Sequence, residues 1–250
     1  MFLKSARAAN SALSVFGLRL IRIARSGNAR PRTTFDFIRS RRINMVIDVG
    51  ANEGQFGMSL RNAGYTGLIK SFEPVAAPFR MLSAVASKEL PWEVFNFGLS
   101  DREEEREINV SKDTVFSSLK NVTSHAALFD ENSARLYQER IHLCRIDDVM
   151  QVDKSFRTFL KIDTQGYEER VLNGAINYMA GVHGVMLEIP IKHLYDDVWN
   201  FEEAVAFMRK HSFIISNILP VNYDHNVDDV SLIEVDCIFK NINIAPSARL

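Results

Sequence analysis

The stretch spanning residues 45–56, M-V-I-D-V-G-A-N-E-G-Q-F, leaves this chain few folds to choose from. Met45, Val46 and Ile47 make a short apolar run ending in Asp48, and Gly50 and Gly54 bracket Ala51, Asn52 and Glu53 before helix-forming residues resume. The order is strand, tight turn, helix. Glycine suits such a turn because it tolerates positive φ and, lacking a Cβ, lets a ligand lie against the backbone. The N–H groups that open the following helix face the same space, which suits a nucleotide-like cofactor. The spacing is G-x-x-x-G and not the G-x-G-x-x-G of dinucleotide sites, which weakens a pyrophosphate reading.

The pattern then repeats. Phe56, Leu60 and Ala63 give the first helix an inward face, and Gly64 and Gly67 stop it. Residues 68–72 read as a second buried strand that ends at Glu73 and Pro74. Glu73 therefore stands where a nucleotide-binding sheet offers a carboxylate to two ribose hydroxyls, about twenty positions past the glycines. Residues 78–87 read as a helix and 92–97 as a third strand, closed by Gly98, Leu99, Ser100 and Asp101. Strands and helices alternating at this length predict a doubly wound α/β fold, with a parallel sheet and ligands at its carboxyl edge.

From residue 102 to 145 the pattern loosens. Glu103, Glu104 and Glu105 read as a solvated turn, 107–110 as an added strand, and 111–124 as a polar loop long enough to carry substrate specificity. The βα rhythm returns at F-L-K-I-D, residues 159–163, followed by T-Q-G-Y-E and a helix. Lys161 and Asp163 share one face of that strand, as a buried ion pair at the sheet edge or as part of a ligand cleft. The next strand, V-M-L-E-I, places Glu188 near its carboxyl end. Asp48, Glu73, Asp163 and Glu188 thus fall at four predicted strand ends, implying a cleft for hydroxyls or a cationic group. A helix over 202–210 and strands over 213–218 and 230–239 finish the sheet, the closing pair antiparallel through the turn region 220–229.

The length and the 46% apolar content fit one full domain, residues 43–250, with an appendage, residues 1–42. Charge divides the same way: residues 1–44 hold ten Lys and Arg against Asp36 alone, leaving 20 basic against 30 acidic residues in the remainder. Within residues 1–27, Leu13, Phe16, Leu20 and Ile23 recur at helical spacing among Arg19, Arg22 and Arg25. Three readings compete for this basic amphipathic stretch: a helix packed on the body, a peripheral membrane or partner contact, and a transit peptide. Cys144 and Cys237 sit in apolar runs without C-x-x-C spacing, as expected of buried free thiols in a reducing, cytoplasmic setting.

Taken in order, D-V-G-A-N-E-G, F-E-P, G-L-S-D, L-K-I-D-T-Q-G-Y-E and V-M-L-E-I resemble the FkbM family of S-adenosylmethionine-dependent methyltransferases, over about residues 43–240. The resemblance implies a Rossmann-like, mostly parallel seven-stranded sheet with the last strand inserted antiparallel. It also implies O-methylation of a hydroxyl on a sugar, polyketide or lipid. By the same resemblance Asp48, Gly50, Asn52 and Gly54, with Ala51 between them, flank the methionine and ribose parts of S-adenosyl-L-methionine. Glu73, followed by Pro74, takes the ribose hydroxyls, and Ser100 or Asp101 lies near adenine. Gln165 stands where many members have Glu.

Methyl transfer from a sulfonium asks the protein to align a nucleophile, and an alcohol must also lose its proton. Asp163 and Glu188 lead as bases, with Lys161 keeping Asp163 ionised, and His193 follows in I-P-I-K-H-L-Y. Asp163 serves equally well as a holder of the cofactor's ammonium group. No tight His and carboxylate cluster points to a metal. Two other functions stay open, a nicotinamide-dependent oxidoreductase and a non-catalytic membrane-associated module. The acidic body, and an arm whose aromatics are only Phe2, Phe16, Phe35 and Phe37, argue against a nucleic acid partner and for a small-molecule or glycan acceptor. Oligomeric state is not legible.

Overall fold

The computed structural model describes residues 33–111, 135–191, 198–223 and 231–245. The stretch 1–27, the polar loop after residue 111, and His125, His193 and His225 lie outside them.

The strand predicted at the glycine turn is β1, Met45–Val49, buried along its whole length. It pairs in parallel with β2, Leu68–Phe72, on one side and with β7, Thr158–Ile162, on the other. β3, Trp92–Phe95, extends the sheet beyond β2, and β8, Val182–Pro190, continues it beyond β7. β9, Phe213–Tyr223, forms the far edge, and β10, Leu232–Asn241, runs antiparallel between β8 and β9. The result is a seven-stranded sheet in the order β3-β2-β1-β7-β8-β10-β9, with β10 as the reversed strand. The closing pair is longer than the sequence pattern predicts, and β9 runs on through Pro220, which an edge strand tolerates on its unpaired side.

Helices α1 (Thr34–Ser40), α2 (Gln55–Asn62), α3 (Ala76–Ala86), α4 (Ile146–Val149), α5 (Glu168–Asn173) and α6 (Phe201–Lys210) punctuate the strands. α6 starts at a capping box, in which Asn200 accepts from the Glu203 amide and the Glu203 side chain accepts from the Asn200 amide. Alternation along each buried strand divides the core into two layers. Ile47, Val49, Phe72, Leu160 and Ile162 pack into one layer, and Val46, Ile69, Phe159, Met186 and Ile238 into the other. Helix α1, left with the appendage by the expected boundary at residue 43, belongs to this second layer through Phe37 and Ile38, and the Phe37 ring lies 5.6 Å from that of Phe159, tilted by 50°.

The region where the sequence pattern loosens contains a second sheet. β5, Glu104–Ser111, is longer than the short strand expected, and it pairs antiparallel with β6, Arg135–Cys144. The pair β4, Gly98–Leu99, completes a three-stranded sheet in the order β4-β6-β5. Its apolar face, with Leu99, Ile108, Ile141 and Leu143, joins the first core layer and roofs one side of the cleft.

Candidate active site

The parallel register brings the strand ends into line. Asp48 pairs with Ser71 of β2 and with Lys161 of β7, and Lys161 pairs with Met186 of β8. One alternation further on, at the carboxyl edge, the same line across the sheet runs Glu73, Gly50, Asp163, Glu188 and then Asp236, the β10 partner of Glu188. Four acids and one glycine form the lip of a cavity of about 360 Å³. Small-molecule sites begin near this size.

Gly50 must be glycine here. Its φ is +72°, and a Cβ at that position would run into the Asp163 carbonyl oxygen. The β1 turn is therefore pressed against the end of β7, with the Gly50 and Ala51 amides both donating to the Phe72 carbonyl at 3.1 Å. Asn52 adopts a positive φ of 47° and donates its amide to Glu73 Oε2 at 2.8 Å, while Val75 donates to Oε1 at 2.9 Å. Each Glu73 oxygen keeps a second lone pair for another donor. Burial pushes the Glu73 carboxyl up to about 7, against the pull of the Val75 and Asn52 amides.

Lys161 is the cation of the site. Its Nζ lies 3.1 Å from Asp48 Oδ1 and 3.3 Å from Asp163 Oδ2, and donates to the Gly50 carbonyl at 3.2 Å. Burial lowers its affinity for a proton, but Asp163 and Asp48 outweigh that and raise it overall. Burial also lifts Asp163, yet Lys161, Gln165 and Glu188 bring it below its ordinary value. Gln165, at a positive φ of 53°, donates its side-chain amide to Asp163 at 3.1 Å and to Glu188 at 2.7 Å. The turn carrying it is fixed by the buried Glu168, whose Oε1 accepts from Thr164 N, Thr164 Oγ1 and Gly166 N. Burial raises Glu188 well above its ordinary value, and the charges of Asp163, Glu234 and Asp236 add to the rise.

Of the residues singled out in the sequence, Gly50, Ala51, Asn52, Glu73, Pro74, Lys161, Asp163 and Glu188 line this one cavity. Asp48 lies beneath it, fully buried between Lys161 and Ser71, and so supports the wall from behind. Gly54, Ser100 and Asp101 stand away from the lining: Gly54 packs towards Leu82 and Trp92, and Asp101 is held by Arg170 at 3.3 Å. His193 lies outside the described residues. Two polar lining residues were given no role by the sequence reading. Tyr167, between the guanidinium groups of Arg106 and Arg170, accepts from Arg106 at 3.0 Å, and Asp236 sits in the middle of an antiparallel strand. Among the described residues no group of three or more His, Cys, Asp or Glu is placed to hold a metal ion, and no helix is long and apolar enough to cross a membrane.

S-adenosyl-L-methionine fits these residues. Glu73 offers open lone pairs to a ribose diol, and Phe72, Val75, Leu99, Ile141 and Leu143 give an apolar slot for a base. The anionic lip favours a ligand with sulfonium and ammonium charge. Because Glu73 titrates near 7 in the free protein, affinity for S-adenosylhomocysteine should rise about tenfold from pH 6 to pH 8 as the carboxylate ionises. Calorimetry across that range checks this, and a flat profile would show that the ribose does not engage the anion.

The Methyltransferase FkbM domain model matches residues 48–215. A curated relative, the AMB antimetabolite synthetase AmbE of Pseudomonas aeruginosa, is 27% identical in a 202-residue alignment that covers 69% of this chain and 10% of that protein. The chain thus spans about one tenth of that relative. Among solved structures, Streptococcus pneumoniae Sp1610 in complex with S-adenosyl-L-methionine is similar at a TM-score of 0.47 and 11% identity, over 88% of this chain and 77% of that one. An rRNA methylase from Streptococcus thermophilus is similar at a TM-score of 0.45 and 10% identity, over 83% and 93%. The family match extends from the buried Asp48 of β1 into β9, taking in the whole cofactor edge of the sheet, and the chain belongs to the FkbM methyltransferases, with S-adenosyl-L-methionine as its cofactor.

Proposed function

We propose that the protein transfers a methyl group to a hydroxyl on a sugar, polyketide or lipid-linked acceptor. The observation that carries this reading is the lip of carboxyl groups, Asp163, Glu188 and Asp236, beyond the glycine turn. Such a lip accepts hydrogen bonds from hydroxyls and repels phosphates, which favours a small molecule or glycan over nucleic acid. The likeness to a segment of an antimetabolite synthetase supports a small-molecule acceptor as well.

S-adenosyl-L-methionine supplies an electrophilic methyl group on a positively charged sulfur. In this reading Glu73 binds the ribose hydroxyls, Gly50, Ala51 and Asn52 let the ligand lie against the backbone, and Pro74 and Phe72 flank the base. Lys161 keeps Asp163 ionised, and Asp163 faces the ligand's ammonium group as a fixed counter-charge. Gln165 holds Asp163 and Glu188 in place and, being neutral, adds no further anion to a crowded site.

The test is a cell extract incubated with the protein and methyl-labelled cofactor, followed by mass spectrometry. Label on a hydroxyl of a small molecule or glycan is the expected result. Label confined to RNA, DNA or protein would contradict the acceptor class.

A further inference from the structure

We propose that Asp236 is the catalytic residue that takes the acceptor's proton. The inference rests on the hydroxyl-methylation reading above. Asp236 continues the line of Glu73, Gly50, Asp163 and Glu188 across the sheet and lines the same cavity, beside Met186 and Val221. The Glu73 and Gly50 end of that line belongs to the cofactor, which leaves the Glu188 and Asp236 end to the acceptor.

The carboxyl groups of the line differ in what already occupies them. Glu73 accepts two backbone amides. Asp163 is bound by Lys161 and Gln165. Glu188 is bound by Gln165. Glu234, two residues from Asp236, accepts from Asn222 at 2.9 Å. The Asp236 side chain alone among these has no hydrogen-bond or ion-pair partner among the described residues, although it faces the cavity.

Basicity sorts the same groups. Asp163 is held below its ordinary value and makes a poor base, and Glu188, raised well above its own by burial and the acids around it, is tied to Gln165 at 2.7 Å. Burial, with the charge of Asp163 working against Lys161, brings Asp236 up to about 6. It is thus ionised at neutral pH yet close enough to it to accept a proton, which is the condition for general base catalysis. The acceptor oxygen forms its bond to the methyl carbon, and the carbon–sulfur electron pair stays on sulfur. The hydroxyl proton moves to the Asp236 carboxylate, which then yields it to solvent.

Sinefungin tests this without a known acceptor, because it carries a protonated amine where the cofactor carries its methyl group. S-adenosylhomocysteine has neither. Calorimetry on the full chain should show sinefungin binding the wild type about tenfold or more tightly than S-adenosylhomocysteine, through a charge-assisted bond. Asp236→Asn should abolish that preference while leaving S-adenosylhomocysteine affinity within a few fold, which also reports that the variant is folded. Asp163→Asn should weaken both ligands alike.

In the wild type the preference should fade as the pH falls through about 6. The groups facing Asp236 are Asp163 and Lys161 from β7, Glu188 from β8 and Glu234 from β10 itself, whereas β9 presents no charged residue. Titration of Glu73 affects both ligands and cancels from the ratio. A preference that survives Asp236→Asn, or that Asp163→Asn removes instead, would overturn the assignment. Failure of the wild type to bind either nucleoside would sink the cofactor reading itself, a distinct result.

Discussion

Replacing Lys161 with methionine is expected to destabilise the fold by about 3 to 5 kcal/mol, the usual cost of leaving buried charges without their partner. Lys161 is 5% exposed and is the counter-charge in contact with both Asp48, which is fully buried, and Asp163. Without the ammonium the two carboxylates cannot both stay ionised in the interior, and one must bind a proton. The sign of the pH dependence follows. Asp163 is depressed in the wild type, so its contribution is present above the unfolded value and is lost as the pH falls through the folded one. The variant lacks that contribution and takes up a proton on folding, so its deficit should be largest near pH 7 and should shrink towards pH 4. Urea unfolding at the two pH values checks this, and an equal deficit at both would mean that packing, not charge, is what the lysine supplies.

Gly50→Ala should cost about 2 to 5 kcal/mol, combining the left-handed backbone with an overpacked contact. The clash is with the Asp163 carbonyl, main chain directly after the central strand β7 and tied to Val49 through the Asp163 amide, which cannot swing aside as a side chain could. Relief requires the β1 turn and the end of β7 to separate, moving Asp163 relative to Glu73. Thermal unfolding should therefore show a fall of many degrees. Any folded fraction should bind S-adenosylhomocysteine weakly. A variant within a degree or two of the wild type would show that the turn has room the close approach denies.

The glycine turn, the parallel core and the position of Glu73 were legible because each is local: an apolar run, then glycines, then a helix face. The nicotinamide alternative was open on that evidence, and family membership decides for methyl transfer. The second sheet was much less legible. Among residues 137–144 only Ile141 and Leu143 are buried, alternating with the polar Arg140 and His142, and the partner strand β5 lies across a long intervening segment of sequence. Tyr167 gave no signal because its place depends on Arg106 arriving from that sheet. Asp236 was missed for a topological reason. An acid at a strand end marks the cleft only where the strand runs towards it, and β10 runs the other way, so a residue in its middle reaches the edge.

Helix α1 lies before the expected domain boundary at residue 43 yet belongs to the core. The surrounding arginines share the arm's basic character, while Phe37 and Ile38 bury into the sheet's second layer. Ser100 and Asp101, which the family resemblance sets near adenine, stand outside the cavity wall, Ser100 fully buried and Asp101 engaged by Arg170.

The account stands most directly on S-adenosyl-L-methionine occupying the cleft between Gly50 and Glu73. Isothermal titration calorimetry of S-adenosylhomocysteine into the wild type and into Glu73→Ala, with the melting temperature of each recorded, tests it. Saturable one-to-one binding by the wild type and a loss of tenfold or more in the variant are predicted, since each bond to a charged acceptor contributes about 1.5 to 3 kcal/mol. A folded Glu73→Ala protein that binds as tightly as the wild type would contradict it.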